Sequence, residues 1–219
     1  MKKLIVAFAV VLFMFPSFLS NAQDWANFAR YSTQNENLTV KPKAVLMGDS
    51  ITDLWYSNHP EFFTENNLVG RGISGQTTSQ MLVRFRRDVL DLHPEYVVIL
   101  AGTNDIARNT GIISLENILG NLISMCEIAS VNGIRPILCS VLPASAYGWR
   151  PEVTDSAKQI EELNKMISEY AASAGIQYVD YHSAMKNDEG GLPKSLAGDG
   201  VHPNLDGYAI MESMLIKVL

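Results

Sequence analysis

The chain has 219 residues, with 17 Lys and Arg against 23 Asp and Glu, a formal net charge of −6. That length suits one domain with a substantial core. The acidic balance excludes nucleic acid as a partner, because phosphate binding needs a basic patch.

The first residues have the three parts of a secretory signal. Lys2 and Lys3 are followed by an apolar stretch over 4–15, Pro16 breaks it, and Ser20-Asn21-Ala22 supplies small residues for cleavage before Gln23. The apolar stretch is shorter than the roughly 20 residues needed to span a bilayer. No cysteine stands at the cleavage site to carry a lipid. The sequence therefore predicts a signal peptide over 1–22, one domain over 23–219, no stable membrane anchor, and export to a bacterial periplasm or the extracellular space. The mature chain would have 197 residues and, without the two lysines, a formal charge of −8.

Beyond the signal, short apolar runs alternate with helical patterns. The runs 44–47, 68–71, 96–100, 136–141 and 176–180 are rich in Val, Ile or Leu, as in parallel strands covered on both faces. Segments 77–90, 114–132 and 154–174 have apolar residues at helical spacing, and in the last Ile160, Leu163, Met166, Ile167 and Tyr170 share one side. Gly133 and Gly175 stand where the chain should leave a helix. A final helix runs from about Leu205. This alternation predicts an α/β fold, a three-layer α/β/α sandwich on a five-stranded parallel sheet. Ligands of such sheets bind beyond the carboxyl ends of the strands. Cys126 and Cys139, the two cysteines, fall in a helix and a strand and read as buried free thiols, although an oxidising compartment also admits a disulfide.

The first strand delivers Gly48-Asp49-Ser50. A serine there is ordinarily a helix cap; to act as a nucleophile it needs a base. Of the four histidines, His59 and His93 each precede a proline, and His182 follows the fifth strand as a second candidate. His202 alone has an aspartate three residues before it, in Asp199-Gly200-Val201-His202-Pro203. That aspartate can fix the imidazole tautomer and stabilise the imidazolium. Asn104, in Gly102-Thr103-Asn104-Asp105, and Gly75, in Ile73-Ser74-Gly75-Gln76-Thr77, follow consecutive strands and offer donors for a tetrahedral oxyanion. Taken singly, each of these residues is an ordinary turn residue.

Taken together and in order, these four blocks resemble the SGNH hydrolase superfamily, the GDSL esterases and lipases. The motif pattern is most similar to bacterial acetylhydrolases of the platelet-activating-factor type. The resemblance implies a flavodoxin-like sandwich, with Ser50 as nucleophile, His202 as base and Asp199 as its orienting acid. It implies oxyanion donors from the backbone N–H groups of Ser50 and Gly75 and the side chain of Asn104, and no cofactor or metal. Aligned on this pattern, Gly72 takes a turn role and Ser74 is a turn hydroxyl. Gln76 stands where family members commonly have an acid.

The implied function is hydrolysis of carboxylic esters through an acyl-enzyme, with acetyl groups on a carbohydrate as the expected substrate. The alternatives are a lysophospholipase or thioesterase for longer acyl chains and a non-catalytic glycan-binding module. Trp55, Tyr147 and Trp149 are the candidate sugar-stacking residues. A metallophosphoesterase reading of Gly48-Asp49-Ser50 fails for want of histidine ligands near the motif.

Overall fold

The apolar runs become strands because both faces of each are covered. The computed structural model describes residues 24–219, so the predicted signal over 1–22 lies outside the described residues. In chain order the elements are α1 (Ser32–Glu36), β1 (Ala44–Gly48), α2 (Ser50–Asn58), α3 (Pro60–Glu65), β2 (Leu68–Gly72), α4 (Thr78–Asp88), β3 (Tyr96–Leu100), α5 (Thr103–Ile106), α6 (Leu115–Val131), β4 (Arg135–Cys139), α7 (Ser156–Ala174), β5 (Gln177–Val179), α8 (Tyr181–Met185) and α9 (Leu205–Leu215). The strands form one parallel sheet in the order β2-β1-β3-β4-β5.

Strand residues alternate between two cores. Val45, Met47, Val97, Ile99 and Leu138 face α4, α6 and α7 and pack with Phe85, Leu122 and Leu163. Ala44, Leu46, Val98, Leu100, Ile137 and Cys139 face the other layer, with Trp55, Phe63, Tyr181, Tyr208 and Met211. This is the expected three-layer sandwich. In α7 the buried positions Ile160, Leu163, Ile167 and Ala171 make the inward stripe, and Gly175 closes the helix at φ 67°.

The expected strand over 136–141 stops at Cys139, since other groups take the next backbone atoms. Ser140 N–H donates to Val179 O, and the Asn164 side chain bonds both N–H and C=O of Val141. Short helices α2 and α3 escape the sequence reading. They are held by an aromatic cluster in which Trp55 stacks on Phe62 and Tyr208 at 5.6 and 5.5 Å.

Register sets the site. Gly48 is paired with Gly72 on one side and Leu100 on the other, so β1, β2 and β3 end level. The loops carrying Ser50, Gly75 and Asn104 therefore leave the sheet side by side.

Candidate active site

Asp49, not Ser50, caps α2: its Oδ1 accepts from Ile51 N–H at 2.9 Å. Ser50 becomes the first helical residue, with its hydroxyl free for other use. Its Oγ lies 2.8 Å from His202 Nε2, and His202 Nδ1 lies 2.6 Å from Asp199 Oδ2. Oδ1 of Asp199 accepts the N–H groups of Val201 and His202 at 2.9 and 2.8 Å, which shapes the turn. His202 does not cap α9; Asn204 does, through Gly207 N–H. Tyr208 then donates to Ile51 O at 2.8 Å, tying α9 to the start of α2.

Burial pushes the Asp199 carboxyl up, but the hydrogen bonds from His202 and Val201 outweigh it and hold the group at about 2. An ionised carboxylate only accepts, so His202 Nδ1 must carry the proton. With Nδ1 carrying the proton, the neutral form of the ring presents an Nε2 lone pair to the serine hydroxyl. A hydroxyl against a neutral, oriented imidazole is an activated nucleophile.

Donors for negative charge lie beside it. Gly75 has φ 80°, in the left-handed region that favours glycine, and its added Cβ would meet only Asn109 Nδ2 at 4.0 Å, so conformation rather than space selects glycine here. The N–H groups of Ser50 and Gly75 make no hydrogen bond among the described residues. The Ser50 N–H also opens a helix, where the backbone dipole favours an anion. Asn104 donates one amide hydrogen to Gln76 O at 3.0 Å, and its other makes no hydrogen bond among the described residues.

Asn109 organises this corner, and sequence reasoning missed it. Its Nδ2 donates to Asn104 Oδ1 at 2.8 Å and to Gly75 O at 3.2 Å, and its Oδ1 accepts from Trp149 Nε1 at 3.0 Å. In the sequence it reads as one more turn asparagine. Arg84 was also missed. It is fully buried, and its guanidinium donates to Gln76 Oε1, Asp88 Oδ2, Gly48 O and Arg71 O. It thereby fixes the ends of β1 and β2 and the Gly75 loop to one another. Asp105 completes the frame by accepting from Thr78 N–H and Oγ1, joining α5 to the start of α4. Burial pushes the Asp105 carboxyl up to about 6 and the Asp49 carboxyl up to about 7.

The structure joins Ser50, His202 and Asp199 in one hydrogen-bonded series and holds Gly75 and Asn104 together through Asn109. It corrects two of the three stacking residues. Trp55 is 1% exposed, locked between Phe62 and Tyr208 and donating to Glu212 Oε1 at 2.9 Å, so its ring offers no face to a substrate. Tyr147 is equally buried, its hydroxyl 2.9 Å from Thr103 Oγ1. Trp149 remains: it is 43% exposed, with its ring 6.3 Å from the His202 ring.

Gly72 is not a turn residue either. It ends β2, and an added Cβ would strike Asp53 N and Asp49 O, so it is glycine because α2 passes directly against it. Ser74 donates to Asp53 Oδ2 at 2.9 Å, as a turn hydroxyl does. His182 lies just after β5, three strands from β1, about 14 Å at the usual strand spacing. Cys126 and Cys139 are free and buried. Among the described residues no three His, Cys, Asp or Glu side chains cluster as a metal site, and no helix is long and apolar enough to cross a membrane.

The model of the GDSL-like Lipase/Acylhydrolase family matches residues 46–210, from β1 into α9. A GDSL-like lipase from Bacteroides thetaiotaomicron is 44% identical and superposes with a TM-score of 0.86, over 89% of this chain and 97% of that one. An uncharacterized lipoprotein of Bacillus subtilis, YqeF, is 39% identical over 80 residues, 35% of this chain and 33% of that protein. An acetylxylan esterase from Geobacillus stearothermophilus is 23% identical over 159 residues, 68% of this chain and 70% of that protein.

Proposed function

Because the chain belongs to the GDSL-like Lipase/Acylhydrolase family, its reaction is hydrolysis of a carboxylic ester, and we propose that it removes short acyl groups, acetyl foremost, from carbohydrates outside the cytoplasm. The observation that carries the chemistry is the bonded series Ser50–His202–Asp199, with the carboxylate ionised.

In the proposed mechanism, Ser50 Oγ attacks the ester carbonyl carbon while His202 Nε2 takes its proton. The carbonyl oxygen becomes an oxyanion, met by the N–H groups of Ser50 and Gly75 and the other amide hydrogen of Asn104. Collapse breaks the bond to the alcohol oxygen, which leaves with the proton from the imidazolium. Water, deprotonated by His202, then attacks the acyl-enzyme, and the carboxylic acid departs as Oγ recovers its proton. These steps use no cofactor.

The acetylated-carbohydrate reading draws support from the acetylxylan esterase relative and from the surroundings of Gly75. A cavity of about 350 Å³ there is walled mainly by polar side chains, poorly matched to a long acyl chain. The export expected from the pattern of residues 1–22 would fit substrates of that kind.

A panel of esters from acetyl to palmitoyl, with acetylated oligosaccharides, tests the proposal on the protein beginning at Gln23. Acetyl esters should give the highest kcat/KM, with acetylated oligosaccharides among them. A maximum at long chains would replace it with the lysophospholipase or thioesterase alternative. No turnover beyond that of Ser50→Ala would leave a glycan-binding module.

A further inference from the structure

The segment before α1 has no periodic pattern, yet it is fastened across the oxyanion loop. Gln76 Nε2 donates to Ala26 O at 2.9 Å, and Gln80 Nε2 donates to Trp25 O at 2.8 Å. Tyr31 donates to Gly72 O, and Arg30 pairs with Asp53 at 3.3 Å. Gln76 and Ala26 are both buried, so this anchor is shielded from water.

Gln76 suits this task in a way an acid would not. Its Oε1 accepts from Arg84 Nε at 2.6 Å while its Nε2 donates to Ala26 O. A glutamate could keep the first bond but has no hydrogen for the second. The amide at 76 thus joins the loop that carries Gly75 to the segment that carries Trp25.

Between segment and loop lies the cavity of about 350 Å³, bordered by Asp24, Trp25, Asn27, Ser74 and Gly75. Trp25 is 50% exposed. An aromatic ring beside hydroxyl, amide and carboxylate groups is chemistry suited to a sugar, whose C–H face packs on the ring while its hydroxyls bond the polar rim. Gly75 borders this cavity and is also one of the proposed oxyanion donors, so the cavity adjoins the loop that would meet the ester carbonyl.

We infer that Trp25, presented by the segment that Gln76 anchors, is a specificity-determining platform for the sugar ring of an acylated carbohydrate. This inference deepens the substrate reading above and rests on it.

The test compares kcat/KM for acetylated xylo-oligosaccharides with kcat/KM for p-nitrophenyl acetate, which has no sugar. Wild type, Trp25→Ala, Trp25→Phe and Gln76→Glu are measured. Trp25→Ala should lower the sugar-to-nitrophenyl ratio about tenfold, through a higher KM for the sugar ester, the scale of losing one well-packed aromatic contact. Trp25→Phe should recover part of that ratio, and Gln76→Glu should lower it in the same direction.

A wild-type ratio in Trp25→Ala, or equal ratios in the Ala and Phe variants, overturns the platform and leaves the carbohydrate reading standing. A fall in kcat shared equally by both substrates shows a structural role and overturns it as well. Wild type that cleaves p-nitrophenyl acetate but no acetylated sugar overturns the carbohydrate reading and the platform with it.

Discussion

The two carboxylate oxygens of Asp199 serve His202 in different ways: Oδ2 meets the ring at Nδ1, 2.6 Å away, and Oδ1 accepts the backbone N–H at 2.8 Å. One side chain therefore shapes the turn and sets the tautomer. Asparagine separates these tasks, because its Oδ1 can keep the turn but its Nδ2 can only donate to the ring. Nδ1 must then accept, and Nε2 turns a hydrogen toward Ser50. Asp199→Asn should lower kcat by about 10²–10⁴-fold. Its melting temperature should stay within about 4 °C of wild type, a shift worth on the order of 1 kcal/mol in a domain of this size. Steady-state kinetics and a thermal scan measure both, and near-normal kcat would remove Asp199 from the mechanism.

Asn104 and Asn109 should differ in degree. Removing an oxyanion donor typically costs about 10²–10³ in kcat, and Asn104→Ala should fall in that range. Asn109 is a positioning residue that holds Asn104 Oδ1 and Gly75 O. Asn109→Ala should cost about tenfold, the worth of roughly one hydrogen bond. KM for p-nitrophenyl acetate should change less than kcat in both. Wild-type kcat in Asn109→Ala would show that the corner holds its shape unaided.

Asp49 gives stability a defined pH dependence. Burial raises its carboxyl to about 7 in the folded chain, against about 3.9 unfolded. The folded state thus binds more protons between those values. The stability contributed by the protonated form is fully present below the unfolded value and is lost as pH rises through about 7. Asp49→Asn keeps an oxygen for Ile51 N–H but does not titrate. Its stability relative to wild type should rise from pH 5 to pH 8 and level off above, as read by urea unfolding. A difference constant across that range would contradict the burial argument.

Arg84 ties the strand ends together. Arg84→Met removes the cation that pairs with Asp88 and one donor each from Gly48 O and Arg71 O, although Ile73 N–H still reaches Gly48 O and Asn35 Nδ2 still reaches Asp88 Oδ1. The loss of one partner of a buried pair costs about 3–5 kcal/mol. Arg84→Lys should also destabilise, because an ammonium cannot reproduce the planar fork. Adding Asp88→Leu to Arg84→Met should recover part of the loss, since the unpaired charge goes with it. Denaturant midpoints settle the order, and a stable Arg84→Met would show that the strand ends need no cross-tie.

What the sequence disclosed was local chemistry. Valine-rich runs, a serine after β1 and an aspartate three residues before a histidine have meaning within a few positions. What it concealed depends on partners far along the chain. Arg84 sits in an amphipathic helix, where an arginine reads as a solvated face; its burial is decided by Gly48, Gln76 and Asp88 together. Trp55 and Tyr147 follow strand ends, as cleft residues do, but Trp55 is covered by Tyr208 from α9 and Tyr147 is bonded to Thr103. The two bonds that fasten Trp25 and Ala26 use backbone carbonyls, which every residue possesses, so no pattern marks them.

The most direct test is covalent labelling of the nucleophile. A p-nitrophenyl alkylphosphonate should phosphonylate the protein once, with release of one p-nitrophenol, and peptide mass spectrometry should place the adduct on Ser50. Ser50→Ala should neither label nor hydrolyse acetyl esters above background, while Ser74→Ala should do both. An adduct on Ser74, or hydrolysis by Ser50→Ala at the wild-type rate, would contradict the assignment of Ser50 as the nucleophile.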